Sequence, residues 1–195
     1  MFQFFLQIKP IRDFVVKADH KRTAIILSRI KSYLPKNKKI LDIGCGLGLL
    51  SSEIKSKGYD LTAIDVHDIS IEENIKPIIY DGSDLPFDKN TFDTALFITV
   101  LHHTPSPEKL LQDTAQVSKK IIIMEDIYEN TFQKYATYVM DSVVNFEFFG
   151  HPHTNKDEEE WLSLFKRNKL KLLYKDRFPY WKLFLSAVYV VEKVR

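Results

Sequence analysis

The spacing of apolar positions along the chain switches repeatedly between a helical and a strand period. Residues 19–34 place Ile26, Ile30 and Tyr33 on one helical stripe with Leu27 and Leu34 beside it, and Pro35 stops the run. A short apolar segment, Lys39-Ile-Leu-Asp-Ile-Gly, is ended by glycines and predicts a buried strand. Residues 49–57 return to helical spacing through Leu50 and Ile54, with Gly58 placed to end the helix in a left-handed conformation. Residues 59–66 predict a second strand ending at Asp65, 76–80 a third running into Asp81, and 92–99 a fourth. Ser106, Pro107 and Glu108 mark a helix start, with a polar cap, a proline in the first turn and an acid near the positive end of the dipole. Residues 120–125 predict a fifth strand.

The tail departs from this alternation. Residues 131–149 carry Tyr135, Tyr138, Val139, Ser142, Val143 and Phe146 at helical spacing and end at Gly150. Asn155 with Glu158 three residues later reads as a capping box opening a helix through Trp161, Leu164 and Phe165. Residues 169–178 and 185–193 predict two strands joined through Pro179, Tyr180 and Trp181, suited to a hairpin at a sheet edge. Strands alternating with helices require crossover connections. The predicted class is therefore α/β, a doubly wound, mainly parallel seven-stranded sheet with helices on both faces and an antiparallel hairpin at its C-terminal edge. No repeat or flexible linker interrupts residues 1–195, so one domain is expected: an N-terminal arm and helix (1–34), a core (38–126) and a tail of helices and hairpin (127–195).

Composition narrows the classes further. With 45% hydrophobic and 28% charged residues the chain is globular in type, which excludes disordered and collagen-like classes. Cys45 is the single cysteine, so no internal disulfide and no all-cysteine zinc site can form within the chain. No apolar run approaches the roughly 18 residues of a membrane span. At the N-terminus the apolar residues precede the basic ones, the reverse of a secretory signal. A cytoplasmic protein is the expectation.

The net charge is +2, yet residues 1–39 hold ten Lys/Arg against two Asp. Phe2, Phe4, Phe5, Leu6 and Ile8 precede Lys9, Arg12, Lys17, Lys21 and Arg22, so residues 2–22 could touch an anionic membrane surface peripherally, although Pro10 would interrupt a continuous amphipathic helix. A solvated basic helix face is the simpler reading of the same charges.

Candidate chemistry concentrates after the first strand. In Ile40-Leu41-Asp42-Ile43-Gly44-Cys45-Gly46-Leu47-Gly48, alternate glycines let the backbone turn tightly against a ligand while the next helix presents its N-terminal dipole. Leu49 stands where a dinucleotide fingerprint would need its third glycine, and Asp42 places an acid inside the strand; both argue against NAD. Asp65 follows Gly46 by 19 residues, where a carboxylate can catch ribose hydroxyls, and Asp81 with Gly82 ends the third strand. Each acid alone also fits an ordinary turn residue. Their recurrence at successive strand ends beside a glycine turn points to a nucleoside-type ligand.

On these residues the chain resembles class I S-adenosylmethionine-dependent methyltransferases of the small-molecule branch. ILDIGCGLG (40–48), AID (63–65), YDGSDLPF (80–87), FDTALFITVLHH (92–103) and KKIIIMED (119–126) match that family's motifs in order. The resemblance implies a Rossmann-like methyltransferase fold and S-adenosylmethionine as cofactor. It implies that Gly44, Cys45 and Gly46 hold the methionine part with Asp42, that Asp65 and Val66 meet the ribose and adenine, and that Asp81 and Gly82 meet the adenine. It further implies that Phe97 and Ile98 lie near the methionine chain, and that His20, Lys21 or Arg22 approaches its carboxylate from an N-terminal lid.

His102 and His103 follow the fourth strand where the family's active site opens, and either could take a proton from a substrate hydroxyl; packing is their alternative role. His151 and His153 have metal-pair spacing but no third ligand, so no metal is expected. Aromatic residues of the arm, of 131–149 and of the hairpin turn point to a small, apolar or aromatic acceptor. Ile98-Thr99-Val100-Leu101 stands where DNA amino-methylases carry an Asn/Asp-Pro-Pro-Tyr signature, so no nucleic acid is expected. A catalytically silent cofactor-binding module of the same fold is the alternative function.

Overall fold

The structure is a computed structural model and describes residues 8–36, 38–145, 154–180 and 184–194. Side-chain alternation along the first strand, β1 (Lys39–Ile43), sets the layering. Leu41 and Ile43 enter one core cluster, while Ile40 enters another on the opposite face. Helix α1 (Lys9–Ile30) covers the second face with Ile26, Leu27 and Ile30, and α2 (Leu49–Ser56) covers it with Leu50 and Ile54.

Strands β2 (Asp60–Asp65), β3 (Ile78–Ile79), β4 (Phe92–Ile98) and β5 (Ser118–Ile127) continue the sheet. A 3-10 turn (Leu101–His103) and helix α3 (Pro107–Val117) follow β4. Helix α4 (Thr131–Asn145) leaves β5, and α5 (Glu158–Arg167), β6 (Leu170–Tyr180) and β7 (Phe184–Lys193) complete the order. Leu110 and Leu111 of α3 and Trp161, Leu164 and Phe165 of α5 fill the first face.

The seven strands run β3-β2-β1-β4-β5-β7-β6, with β1 to β5 parallel and β7 antiparallel to both β5 and β6. This is the expected open sheet with its hairpin at the C-terminal edge. The order reverses at β1, between β2 and β4, and in such sheets ligands bind outside the carboxyl ends of the strands at that point.

Several boundaries differ from the sequence expectation. The first helix begins at Lys9, ten residues before the predicted start, and ends at Ile30. Pro10 therefore lies in its first turn, where no intrahelical N–H is needed, and does not interrupt it. The third strand shrinks to two exposed edge residues.

Helix α5 is capped by Asp157, not Asn155: Glu160 N–H donates to Asp157 Oδ1 at 2.8 Å and Asp157 N–H to Glu160 Oε2 at 2.9 Å. The Asp-x-x-Glu pair overlaps the Asn155 reading by two residues and satisfies the orphan donors of the first turn. Pro179 lies within β6 opposite Leu185, tolerated because β6 is the sheet edge. The C-terminal end of the 131–149 prediction, residues 146–149, Trp181 of the hairpin turn, and Phe2, Phe4 and Phe5 lie outside the described residues.

Asp157→Ala removes one half of the capping box. Urea unfolding should show a loss of about 1 kcal/mol, and an unchanged midpoint would rule out the box as the anchor of α5.

Candidate active site

The turn after β1 is built by backbone bonds to the neighbouring strand. Gly44 and Cys45 N–H groups both donate to the Ile64 carbonyl, at 2.9 and 3.2 Å, and Gly46 N–H donates to Asp65 Oδ2 at 2.8 Å. Gly44, Gly46 and Gly48 all take positive φ, which only glycine adopts freely. A Cβ on Gly44 would meet Val100 at 2.6 Å, and one on Gly48 would meet Ser70 Oγ at 2.5 Å, so these two glycines allow close packing. A Cβ on Gly46 would meet nothing within 4 Å among the described residues. Gly46 alone of the three faces open space.

Three acids stand toward the carboxyl ends of β1, β2 and β3. Asp42 is 3% exposed and accepts the Ser51 hydroxyl at 2.6 Å. Burial raises its carboxyl from an ordinary 3.8 to about 6; the Ser51 bond opposes the shift, the Asp65 charge adds to it, and the Arg22 charge opposes it. Asp65 is half-buried and also accepts Val66 N–H on Oδ1 at 2.7 Å, with Val66 exposed beside it. Asp81 is exposed and lies below the usual carboxylate range because Ser83, by hydroxyl and N–H, and Asp84 N–H hydrogen-bond to it. Gly82 at positive φ brings the backbone against Val66: an added Cβ would sit 3.2 Å from Val66 Cγ1. Half-buried Tyr80 is near enough to both Asp65 and Asp81 for their charges to raise its phenol, after burial.

Cys45 is held at the same turn, and burial, Asp42 and Asp65 together push its thiol well up. An environment of this kind disfavours the thiolate form that nucleophilic chemistry needs.

The other predicted residues divide. Phe97 is fully enclosed and Ile98 is buried, each in a core cluster on one face of the sheet, so Thr99 and Val100 form the mouth of β4 in their place. Thr99 has φ +55, rare for a β-branched residue, and is held there by its N–H on the Met124 carbonyl at 2.7 Å. Of the three N-terminal candidates, His20 and Lys21 point to solvent. Arg22 faces inward, donating to Thr99 Oγ1 at 2.5 Å and pairing with Asp19 at 3.4 Å.

His102 is 1% exposed, with Nδ1 2.5 Å from Glu125 Oε2. Half-buried His103 packs on it with ring centroids 4.0 Å apart. His151 and His153 lie outside the described residues.

Sequence reasoning missed the carboxylates at the end of β5. Glu125 is fully buried; its Oε1 accepts Val100 N–H at 3.0 Å and Leu101 N–H at 2.8 Å while Oε2 meets His102. It fastens the turn after β4 to β5. Asp126 accepts the Ser186 hydroxyl of β7 at 2.5 Å. The one available signal was an acidic pair closing an apolar strand.

The chain matches the family described as a methyltransferase domain over residues 18–177. It belongs to that family. As a methyltransferase domain it is of the S-adenosylmethionine-dependent class. It is 29% identical over 119 residues to a sterol 4-C-methyltransferase of Caenorhabditis elegans, covering 53% of this chain and 36% of that one. It is 35% identical over 89 residues to the mitochondrial ubiquinone biosynthesis O-methyltransferase of Schizosaccharomyces pombe, covering 38% and 31%. The methyltransferase domain thus spans about a third of the length of these two relatives. A solved S-adenosylmethionine-dependent methyltransferase of Methanosarcina mazei superposes with a TM-score of 0.67 at 21% identity, over 85% of this chain and 96% of that one.

Asp42 makes the methyltransferase domain's stability depend on pH in a stated direction. Its folded value lies above its unfolded one, so the native state is penalised increasingly from about pH 4 and fully above about pH 6. A shift of that size corresponds to roughly 3 kcal/mol. Asp42→Asn, which keeps an acceptor for Ser51, should therefore be more stable than the unchanged protein by up to about 3 kcal/mol at pH 8. The gain should vanish near pH 4 in urea unfolding; a pH-independent difference would contradict the assignment.

Proposed function

We propose that the protein transfers the methyl group of S-adenosylmethionine to a small-molecule acceptor by in-line displacement. The observation that carries this reading is the open face of Gly46 beside the Asp65 carboxylate, a cradle with room above a glycine and a charged acceptor at its rim. The residues present fit such a donor. Gly44, Cys45 and Gly46 offer backbone against the methionine part, with Asp42 beneath. Asp65, which accepts Gly46 N–H on Oδ2 and Val66 N–H with a longer His67 contact on Oδ1, keeps acceptor capacity on Oδ2 for a ribose hydroxyl. Exposed Val66, with Asp81 and Gly82, offers an apolar edge and an acceptor to the adenine. Arg22 supplies the cation for a carboxylate, in the place the sequence reading left open among three residues.

S-adenosylmethionine, when bound, supplies a sulfonium-activated methyl group. The protein's own part is to align donor and acceptor and to exclude water. The names of the two relatives, sterol and ubiquinone methyltransferases, support an apolar or aromatic acceptor. So do Phe132, Tyr135 and Val139, exposed on α4 where the chain leaves the carboxyl end of β5. His102, enclosed and engaged by Glu125, is assigned to hold the turn after β4, which leaves His103 as the more accessible of the pair.

Calorimetry with S-adenosylmethionine and S-adenosylhomocysteine tests the reading. Binding is expected for both, and no heat at millimolar ligand would overturn it. Asp65→Ala should weaken both by one to two orders of magnitude, since a charge-assisted hydrogen bond contributes about 1.5–3 kcal/mol. An unchanged affinity would remove Asp65 from the site.

A further inference from the structure

Asp126 is the last acid of β5, and alternation along that strand sends it to the face opposite Glu125. Ile121 and Ile123 belong to the cluster under α3 and α5, and Ile122 and Met124 to the cluster under α1 and α2. Asp126 therefore shares the face of Asp42 and Arg22, as does its partner Ser186, which keeps register with Val188 and Val190. Ser186 Oγ donates to Asp126 Oδ1 at 2.5 Å, which fixes the carboxylate and leaves Oδ2 without a hydrogen-bond partner among the described residues. The residue keeps exposed surface, yet protein encloses it enough that burial raises its carboxyl above the ordinary range, with the Ser186 bond opposing.

The charged groups that act on it come from three elements. His102 of the turn after β4 and Arg22 of α1 favour its ionised form, and Glu125 of its own strand disfavours it. Arg22 acts electrostatically on Asp42 as well, and it is tied to Thr99 at the mouth of β4. Arg22 thus lies between the acid at the glycine turn and Asp126. A carboxylate oriented on one oxygen, open on the other and set one strand beyond β4 is placed to face an acceptor lying beside a bound donor.

Resting on the methyl-transfer reading above, we propose that Asp126 is the catalytic base of this protein, binding a neutral hydroxyl of the acceptor through Oδ2 and taking its proton during transfer. The acceptor oxygen forms the new bond to the methyl carbon, the carbon–sulfur bond breaks with its electron pair left on sulfur, and the hydroxyl proton passes to the Asp126 carboxylate and then to water. A carboxylate at the reacting end repels an anionic acceptor and attracts an O–H donor. The acceptor class is therefore a phenol or alcohol, not a carboxylic acid.

The test uses the full chain and three measurements. S-adenosylhomocysteine binding should be unchanged, within about twofold in affinity, in the near-isosteric Asp126→Asn, and its thermal unfolding should come no earlier than that of the unchanged protein, because burial already disfavours the charged carboxylate; together these show that fold and donor site are intact. Binding of simple phenols to the S-adenosylhomocysteine complex should weaken about tenfold in that variant. Turnover over a panel of phenols, alcohols, amines and carboxylic acids should favour hydroxyl acceptors. For the best of them kcat should fall at least 100-fold in Asp126→Asn, with loss of the acidic limb of the pH–kcat profile.

A variant that keeps more than a tenth of kcat with an unchanged profile overturns the proposal, as does turnover confined to carboxylic acids or no turnover of any panel member. Failure of the unchanged protein to bind S-adenosylhomocysteine defeats instead the methyl-transfer reading on which the proposal rests.

Discussion

Asp65 receives Gly46 N–H on one oxygen and Val66 N–H on the other, and through these two bonds the turn after β1 and the turn after β2 become a single surface. The Ile64 carbonyl reinforces the junction by accepting both Gly44 and Cys45 N–H groups. A carboxylate that must satisfy backbone donors from two segments can hold its orientation only if both segments stay in place. The glycine turn adopts left-handed conformations that glycine takes without strain. Gly44 and Gly48 tighten it against Val100 and Ser70, and the space above Gly46 is what remains.

Parallel pairing gathers the rest. Strands lie about 4.8 Å apart, and β1, β4 and β5 are successive neighbours; Asp42 is level with Leu96 and Ile122, so Asp126 stands two strands across from Asp42 and four residues farther toward the carboxyl end. Accumulating carboxylates there has a cost, visible in the upward shifts of Asp42 and Asp126, where burial and neighbouring acids disfavour charge. Arg22 offsets part of it from α1, acting on both. Its bond to Thr99, whose backbone is itself in the left-handed region, ties the helix to the strand mouth.

The end of β5 shows how one residue of register separates structural from chemical roles. Glu125 turns into the closed face and is saturated by two backbone N–H groups and His102. Removing it would strand those buried donors, which is why it reads as a fastening of the turn. Asp126, one position on, turns to the face of α1 and, among the described residues, is hydrogen-bonded through one oxygen only, to Ser186. The two histidines after β4 divide in the same way, His102 locked to Glu125 and His103 closer to solvent.

Much of this was legible in the chain. The alternation of periods predicted five parallel strands, their helices and the terminal hairpin, because buried strands and amphipathic helices impose different apolar spacings on their own residues. The positions of the glycine turn, Asp42, Asp65 and Asp81 were legible for a local reason also: the turn follows β1, Asp42 lies inside that strand, Asp65 closes β2 and Asp81 follows β3. The helix boundaries moved where a local signal had rivals, as with Asp157 against Asn155 as the cap, and Pro10 as a first-turn residue. Only tertiary structure decided that Arg22, not His20, turns inward, that Phe97 belongs to the core, and that Glu125 and Asp126 part company. Those outcomes depend on which face of a sheet or helix meets which neighbour, a property of pairing across tens of residues that spacing within one segment does not carry.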